Sequence, residues 1–502
     1  MGSLLLWLLC SPITCFTGFI IFLLFLLQKW FPNSNSNSLP SPPKIPIFGH
    51  LLNLGLHPHI TLQSYARHHG PLFLLHLGSR PTAVVSSAEL ARDVMKTHDL
   101  VFSNRPKSCI SQKILYGARD IAASPYGEYW RQMKTIGVVH LLSNIRVQSF
   151  RSVREEEVKF MIHKIQQSPI SVNLTQIFSE LTNDIVCRVA LGRKYGVGED
   201  GKKFRCLLLE FGELLGSFSG RDFIPWLGWI DGISGLDAKA ERVANEIDAF
   251  LNRVIEDHVE TGEISVDKHK DLVDILLSIQ KQDSIGFPLE MDSIKALILD
   301  MFAAGTDTTY TVLEWAMSQL LRHPEAMKKL QTEVRETVGD REKSCVSEDD
   351  LERMHYLKAV IKETLRLHPP IPLLVPREST QDIKLRGYDI KAGSRVIINA
   401  WAIGRDPELW EEAEEFRPER FLNSSIDFKG HDFELIPFGA GRRGCPGVVF
   451  AMVINEIALA NLVHKFEWTL PSGANAEDLD MTMVSALTIH RKFPLVATAT
   501  PY

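Results

Sequence analysis

Apolar residues recur at helical spacing along most of this chain, while the alternation typical of strands is confined to short stretches. Residues 71–85 alternate apolar positions with turn signals and predict a small β region. The helical pattern then dominates, and it predicts helices over 87–97, 127–142, 149–166, 174–191, 202–215, 238–260, 272–281, 357–367 and 448–464. We therefore predict a fold that is mainly α with small β-sheets.

The first strongly apolar stretch, Leu4 to Leu27, contains no charged residue and is long enough to cross a bilayer as a helix. No basic region precedes it, as one would in a cleaved signal peptide. Lys29 follows the stretch, so the positive-inside rule predicts a single transmembrane helix with the body of the chain in the cytosol. The predicted organisation is an anchor over 1–30, a polar spacer and proline-rich hinge over 31–48, and one large domain over 49–502.

The longest helix is predicted from Asp292 to Arg322, with Asp292 or Ser293 as its N-cap, through the centre of a large core. Its apolar pattern is interrupted by Ala304-Gly-Thr-Asp-Thr-Thr309. A glycine in a helix costs about 1 kcal/mol relative to alanine, so this interruption favours a functional groove in mid-helix. A solvent-facing kink is the alternative interpretation.

Three segments between the helices carry further predictions. The stretch from Phe218 to Gly235 is rich in glycine and aromatic residues and is predicted to be a loop flanked by amphipathic helices, with ordinary core as the alternative interpretation of its aromatic side chains. Residues 373–377 and 433–438 are predicted to be strands.

Composition narrows the possible functions. The net charge is −6 and the pI is about 6.3, so no nucleic-acid partner is implied. The 7 cysteines are scattered without C-x-x-C pairs, which disfavours zinc sites and a disulfide framework and fits a reducing compartment.

One cysteine has the surroundings of a thiolate ligand. Cys445 stands in Phe438-Gly-Ala-Gly-Arg-Arg-Gly-Cys-Pro-Gly447, just before a predicted helix. The helix dipole and the charges of Arg442 and Arg443 are expected to favour the thiolate. Two alternatives are a structural cysteine in a turn and a dinucleotide site, because Gly439-x-Gly441-x-x-Gly444 has the G-x-G-x-x-G spacing. The dinucleotide site is disfavoured because no β-α-β pattern follows this loop.

These residues resemble the cytochrome P450 family. Phe438, Gly441, Arg443, Cys445 and Gly447 match its haem-binding loop without departure. The segments 304–309, 363–366 and 416–421 match its oxygen-groove, Glu-x-x-Arg and Pro-Glu-Arg-Phe motifs in the family's order. The resemblance extends to about Pro494 and is strongest to plant A-type members of the seventy-one clan.

The resemblance implies the cytochrome P450 fold and haem b (iron protoporphyrin IX), with Cys445 as the metal ligand. It implies catalytic roles in O2 activation and proton delivery for Thr308 and Asp307. It further implies a structural cluster of Glu363, Arg366 and Arg420. The remaining cofactor-binding residues that it implies are Arg443, Phe438, Gly441, Gly447, Trp130, Lys134, Arg377 and Ala304, with lysine at 134 where the family usually has arginine.

The implied activity is that of a haem-thiolate monooxygenase anchored in the endoplasmic reticulum membrane and facing the cytosol. Its partners would be O2, membrane lipid, a small lipophilic substrate and an NADPH-dependent cytochrome P450 reductase. The reductase would contact basic residues at 131, 134, 429 and 442, with a merely solvated set of charges as the alternative. The resemblance also implies that residues 218–235 form a lid over the substrate. The substrate would be lined by segments 108–123, 211–229, 297–308, 371–375 and 484–488. Two alternatives are a haem-thiolate isomerase or dehydratase that needs no O2, and a non-enzymatic haem-binding membrane protein.

Overall fold

The computed structural model describes residues 37–168, 171–195, 198–260, 270–282, 287–339, 345–484 and 486–502. The predicted transmembrane helix and most of the predicted spacer lie outside these residues. Within the described part of the chain, the helix Val448–Lys465 is the one long and apolar enough to cross a membrane, and most of it is buried in the core.

Helices carry most of the described residues, because their apolar positions recur at three- and four-residue spacing. In chain order they are α1 (Pro58–His69), α2 (Ala88–Arg92), α3 (Cys109–Ile114), α4 (Glu128–Thr135), α5 (Asn144–Ser149), α6 (Arg151–Gln166), α7 (Leu174–Leu191), α8 (Gly198–Gly216), α9 (Gly220–Phe223), α10 (Trp229–Ile233), α11 (Leu236–Glu260), α12 (Leu272–Gln282), α13 (Met291–Arg322), α14 (Pro324–Val338), α15 (His355–Leu367), α16 (Ala400–Ile403) and α17 (Val448–Lys465). Short π-helical turns, Asp93–Thr97 and Ile136–Leu141, extend α2 and α4.

The strands form three small sheets. They are β1 (Leu72–Leu77), β2 (Arg80–Val85), β3 (Val172–Asn173), β4 (Arg377–Glu378), β5 (Ile383–Leu385), β6 (Tyr388–Ile390), β7 (Arg395–Ile398), β8 (Phe466–Thr469) and β9 (Val496–Pro501). The largest sheet has the order β1-β2-β7-β4, with β2 parallel to β7 and the other pairs antiparallel. The others are β3-β9-β8 and the hairpin β5-β6.

The mainly α architecture and most of the predicted helices are confirmed. Helix α7 has the predicted bounds, and α13 begins one residue earlier than predicted. The predicted N-cap is wrong, because Glu290 occupies that position and the Ser293 hydroxyl lies 2.9 Å from the Tyr129 hydroxyl instead.

Both predicted strands after residue 370 are wrong. Only the last residue of 373–377 is in a strand, and Leu374 has a positive φ of 51°. Pro372 and Pro376 have no N–H to donate to a sheet, which explains why this segment does not pair. Residues 433–438 form turns rather than a strand.

The central helix α13 is buried along most of its length and packs most extensively against α7. It stays helical through the interruption at 304–309. A Cβ on Gly305 would lie 3.2 Å from the Val186 side chain, so the glycine allows α7 to approach closely.

Candidate functional site

The loop before α17 is held in a tight curl around Cys445. The Cys445 N–H donates to the Phe438 carbonyl at 2.9 Å. Gly439 and Gly441 have φ values of 66° and 68°, a region that favours glycine. A Cβ on Gly441 would lie 2.1 Å from the Met95 carbonyl oxygen, so this position excludes any other residue.

The charges around Cys445 differ from the prediction. Arg442 binds the Asp99 carboxylate at 3.0 Å, and the three nitrogens of Arg443 donate to backbone carbonyls. Burial raises the pKa of the Cys445 thiol, while the Gly447 N–H and the Lys134 ammonium lower this pKa. Lys134 is the cation whose charge lowers this pKa, although burial keeps the pKa raised overall, while Asp99 and backbone carbonyls bind Arg442 and Arg443.

Four cations gather beside this loop. Arg105, Arg377 and Arg443 are buried. Burial lowers the pKa of both Arg105 and Lys134, and repulsion from Arg443 lowers these two pKa values further. Burial, followed by repulsion from Arg377, lowers the pKa of Arg443 to about 10. We call Arg105, Lys134, Arg377 and Arg443 the cation cluster. So much buried positive charge favours an anionic ligand, and the two propionates of haem fit this requirement.

The carboxylates of Asp99 and Asp120 offset part of the charge of the cation cluster. Asp99 Oδ1 lies 3.1 Å from Arg377, while its Oδ2 binds the backbone and side chain of Arg442 at 3.0 Å. Arg377 also donates to the Ala440 carbonyl at 2.8 Å. Asp99 thus links strand β4 to the cysteine loop.

Trp130 on α4 positions two members of the cation cluster. Its ring lies 4.1 Å below the Arg443 guanidinium and 5.2 Å from Lys134 Nζ. Its indole N–H donates to the Ile121 carbonyl at 3.0 Å, and Lys134 Nζ donates to the Arg442 carbonyl. The predicted cofactor residues of α4 and of the cysteine loop are therefore brought together.

The polar residues of α13 form a separate group. Thr308 Oγ1 donates to the Ala304 carbonyl at 2.5 Å. The carboxylate of Asp307 is 3.2 Å from Nε2 of His490. Although burial raises the pKa of Asp307, the hydrogen bond from His490 lowers it overall. Asp307 is thus held as a carboxylate.

The segment after α3 contacts α13 and brings two acids, Asp120 and Asp300, into one region. The Ile121 N–H donates to Asp300 Oδ2 at 2.7 Å, and the Asp120 carboxylate accepts from the Ala123 N–H. Burial raises the pKa of Asp120 to about 6, and burial together with Asp120 raises the pKa of Asp300 well above its usual range. The side chain of Asp120 is fully buried.

The stretch from Phe218 to Gly235 is surface rather than core. It folds into α9 and α10, and although Ile224 is buried, several large apolar side chains stay exposed, at 64% for Trp226, 60% for Trp229 and 79% for Ile233. This exposure excludes the ordinary-core alternative.

Sequence reasoning missed Arg105, Asp99 and His490. Each bonds to residues far away in the chain: Arg105 donates to the Val375 carbonyl at 2.7 Å, and the other two bind groups described above. No periodicity or motif marks such single polar residues in loops.

With this geometry described, comparison with known proteins identifies the family. The family model described as "Cytochrome P450" matches residues 39–496. The chain belongs to the cytochrome P450 family. The solved structure "Zebra fish cytochrome P450 another structure with Abiraterone" aligns with a TM-score of 0.74 and 26% identity, covering 89% of this chain and 100% of that one.

Curated plant relatives are much more similar to this cytochrome P450. "Cytochrome P450 736A117" of Prunus mume is 58% identical over 97% of this chain and 96% of the relative. "Cytochrome P450 71A26" of Arabidopsis thaliana is 51% identical over 98% of both. "Norfluorocurarine oxidase" of a Strychnos species is 50% identical over 95% of this chain and 96% of the relative.

These likenesses confirm the predicted family, its plant A-type character and the enzyme class. This cytochrome P450 is a monooxygenase of specialised metabolism with a haem-iron cofactor. Its family implies a reductase, O2 and a lipophilic substrate as partners. The dinucleotide-binding, O2-independent and non-enzymatic alternatives are set aside.

Proposed function

We propose that this cytochrome P450 holds haem b on Cys445 and oxidises a small lipophilic plant metabolite such as a terpenoid, alkaloid or phenolic. The reaction would be hydroxylation or oxidative rearrangement. The observation that carries the proposal is the cation cluster beside the Cys445 loop, since its buried charge needs the carboxylates that haem would bring.

The proposed haem contacts divide by chemistry. Cys445 would be the thiolate ligand of the iron, and haem with such a ligand would supply O2 activation and O–O bond cleavage. Arg377, Arg443 and Lys134 would bind the propionates, and Trp130 would orient the last two. The remaining residues proposed to contact haem would do so through backbone shape and side-chain packing, and they are Phe438, Gly441, Gly447 and Ala304.

Asp307 and Thr308 are the proposed proton-handling residues. Asp307 is ionised by its contact with His490, and its side chain is still 29% exposed, so it can exchange protons with water. The Thr308 hydroxyl is one residue further along the same helix. We assign Asp307 the delivery of protons and Thr308 their placement at the reacting oxygen.

The substrate class follows from the proposed lining of the pocket. From Ala296 to Ala304, helix α13 is apolar except for Asp300, and this run includes Leu297, Met301 and Phe302. The raised pKa of Asp300 reduces the negative charge on this side. A lipophilic substrate fits such a lining. The Strychnos relative, named norfluorocurarine oxidase, supports an oxidation of a small organic molecule.

Electrons are proposed to come from an NADPH-dependent reductase that docks on exposed basic residues. Arg131, Lys429 and Arg442 are exposed, although each also has an acidic neighbour within ion-pair distance. We further propose that residues 1–30 anchor the chain in the endoplasmic reticulum, that 31–48 form the hinge, and that Trp226 and Trp229 touch the same bilayer.

The test is turnover of the full-length protein with reductase, NADPH and isotopically labelled O2 against a panel of terpenoids, alkaloids and phenolics. A product that carries one labelled oxygen and requires NADPH supports the proposal. A product that forms without NADPH or O2 would contradict it. The Cys445→Ser variant should form no product, while Cys206→Ser, at an exposed cysteine on α8, should behave as wild type.

A further inference from the structure

His490 lies against the acid that the proposed function uses for proton delivery. It belongs to the segment between α17 and β9, outside any helix or strand. Its Nε2 atom is 3.2 Å from both carboxylate oxygens of Asp307. Its imidazole also stacks on the Tyr310 ring at a centroid distance of 4.9 Å and an angle of 6°. The imidazole is therefore fixed in orientation toward Asp307.

The second nitrogen of this imidazole meets a hydroxyl that has two possible acceptors. Nδ1 of His490 lies 2.7 Å from Thr311 Oγ1, and the same oxygen lies 2.7 Å from the Asp307 carbonyl. A hydroxyl has one proton to donate. When Thr311 donates to the carbonyl, Nδ1 must donate to Thr311, and both ring nitrogens carry protons. When Thr311 donates to Nδ1, the imidazole is neutral.

The charged groups around His490 favour the protonated form. Helix α13 presents Asp307, Glu314 and the phenol of Tyr310, while the segment of His490 itself presents Arg491. Burial lowers the pKa of His490, but the bond to Asp307 and the charge of Glu314 raise it overall. Glu314 binds the Arg491 N–H at 3.2 Å and the Thr175 hydroxyl, so both acids are held in place.

We propose that His490 is a positioning residue that recharges Asp307 with protons, an inference that rests on the proposed role of Asp307. The Nε2–H bond breaks as an O–H bond forms on the carboxylate, and a neutral imidazole remains. Nδ1 keeps its proton and goes on donating to Thr311, whose hydroxyl stays turned toward the Asp307 carbonyl, so that Nε2 is the atom left to be reprotonated. Water returns the proton to the imidazole, whose side chain is 19% exposed. No electrons move in this step.

The first test measures how NADPH electrons divide between hydrogen peroxide and water. The full-length holoenzyme is supplied with reductase, NADPH and O2 without added substrate between pH 5.5 and 9. In wild type, the peroxide yield should rise with pH as His490 loses its proton. His490→Gln keeps a hydrogen-bond donor for Asp307 but cannot titrate, so its yield should be high at every pH. At pH 6 the yield should exceed that of wild type by roughly threefold or more.

A matched control and a second measurement separate the possible outcomes. His323→Gln, at the C-terminal end of helix α13, should keep the wild-type dependence of peroxide yield on pH. A wild-type profile in His490→Gln would overturn the inference while leaving the monooxygenase proposal intact. If wild type itself shows neither reductase-driven NADPH oxidation nor a thiolate-haem spectrum, the proposed function fails, and the proposed proton transfer from His490 to Asp307 fails with it.

The second measurement needs no turnover. In the resting holoenzyme with isotopically labelled histidine, the NMR signal missing from His490→Gln gives the pKa of this imidazole. That pKa should lie above about 6.5, the usual value for histidine, and should fall by about one unit or more in Asp307→Asn. An unchanged pKa of His490 in Asp307→Asn would show that His490 and Asp307 are not coupled and would refute the proposed proton transfer.

Discussion

Glu363 accepts two parallel hydrogen bonds from Arg366, at 2.7 and 2.8 Å, and neither side chain reaches solvent. Arg420 adds a third contact to Glu363 at 3.1 Å. Arg366 also donates to the carbonyls of Gly404 and Ala413 at 2.6 Å. This cluster ties α15 to the long segment that leads to the cysteine loop, as its motifs predicted.

Replacing Glu363 with alanine should destabilise the protein by about 3–5 kcal/mol, because it leaves two buried guanidinium groups without their carboxylate. Chemical denaturation of the holoenzyme measures this change. The control is Glu213→Ala, which removes the exposed ion pair with Lys239 and should cost less than about 1 kcal/mol. Equal losses of unfolding free energy in both variants would show that the buried cluster stabilises the protein no more than an exposed ion pair does.

Arg443→Gln should weaken haem retention by roughly tenfold or more, because the lost guanidinium contributes several charge-assisted hydrogen bonds and a propionate contact. Haem content per protein after gel filtration checks this expectation. Arg131→Gln is the control, since Arg131 is 57% exposed and pairs with Glu128 on the same helix. Full haem content in Arg443→Gln would show that Arg443 of the cation cluster does not contribute to haem binding.

Glu456 on α17 gives a pH-dependent prediction away from the haem site. Burial raises the pKa of Glu456 to about 7, so the folded state binds its proton more tightly than the unfolded state does. Wild-type stability should therefore fall as pH rises from 4.5 to 7 and stay low above that range. In Glu456→Gln this loss is absent, and at pH 8 the variant should be more stable by about 1–3 kcal/mol.

Denaturation of both proteins at pH 4.5, 6 and 8 checks this sign. The difference between the variant and wild type should be smallest at the lowest pH and largest at the highest. A difference that shrinks with rising pH would show that Glu456 is stabilised as an anion.

The helices were predictable because their signals are local. Helix α7 is bounded by an asparagine N-cap and a left-handed glycine, and both signals lie in the sequence itself. The motif residues Glu363 and Cys445 were found for the same reason, since their neighbours in sequence set their environment.

What could not be predicted depends on contacts between distant parts of the chain. Residues 433–438 have a strand-like apolar pattern, yet they turn because the loop that follows must curl onto Met95 and Asp99. Likewise, nothing near His490 in the sequence shows that it binds Asp307. Lys134, which departs from the family pattern, proved to be the cation that acts on Cys445.

The most direct test of the account is the carbon monoxide difference spectrum of the reduced full-length protein. Wild type should show the red-shifted Soret band of thiolate-ligated haem, Cys206→Ala should keep it, and Cys445→Ala should lose it. Absence of the band in folded, haem-loaded wild type, or its survival in Cys445→Ala, would contradict the assignment of Cys445 as the metal ligand.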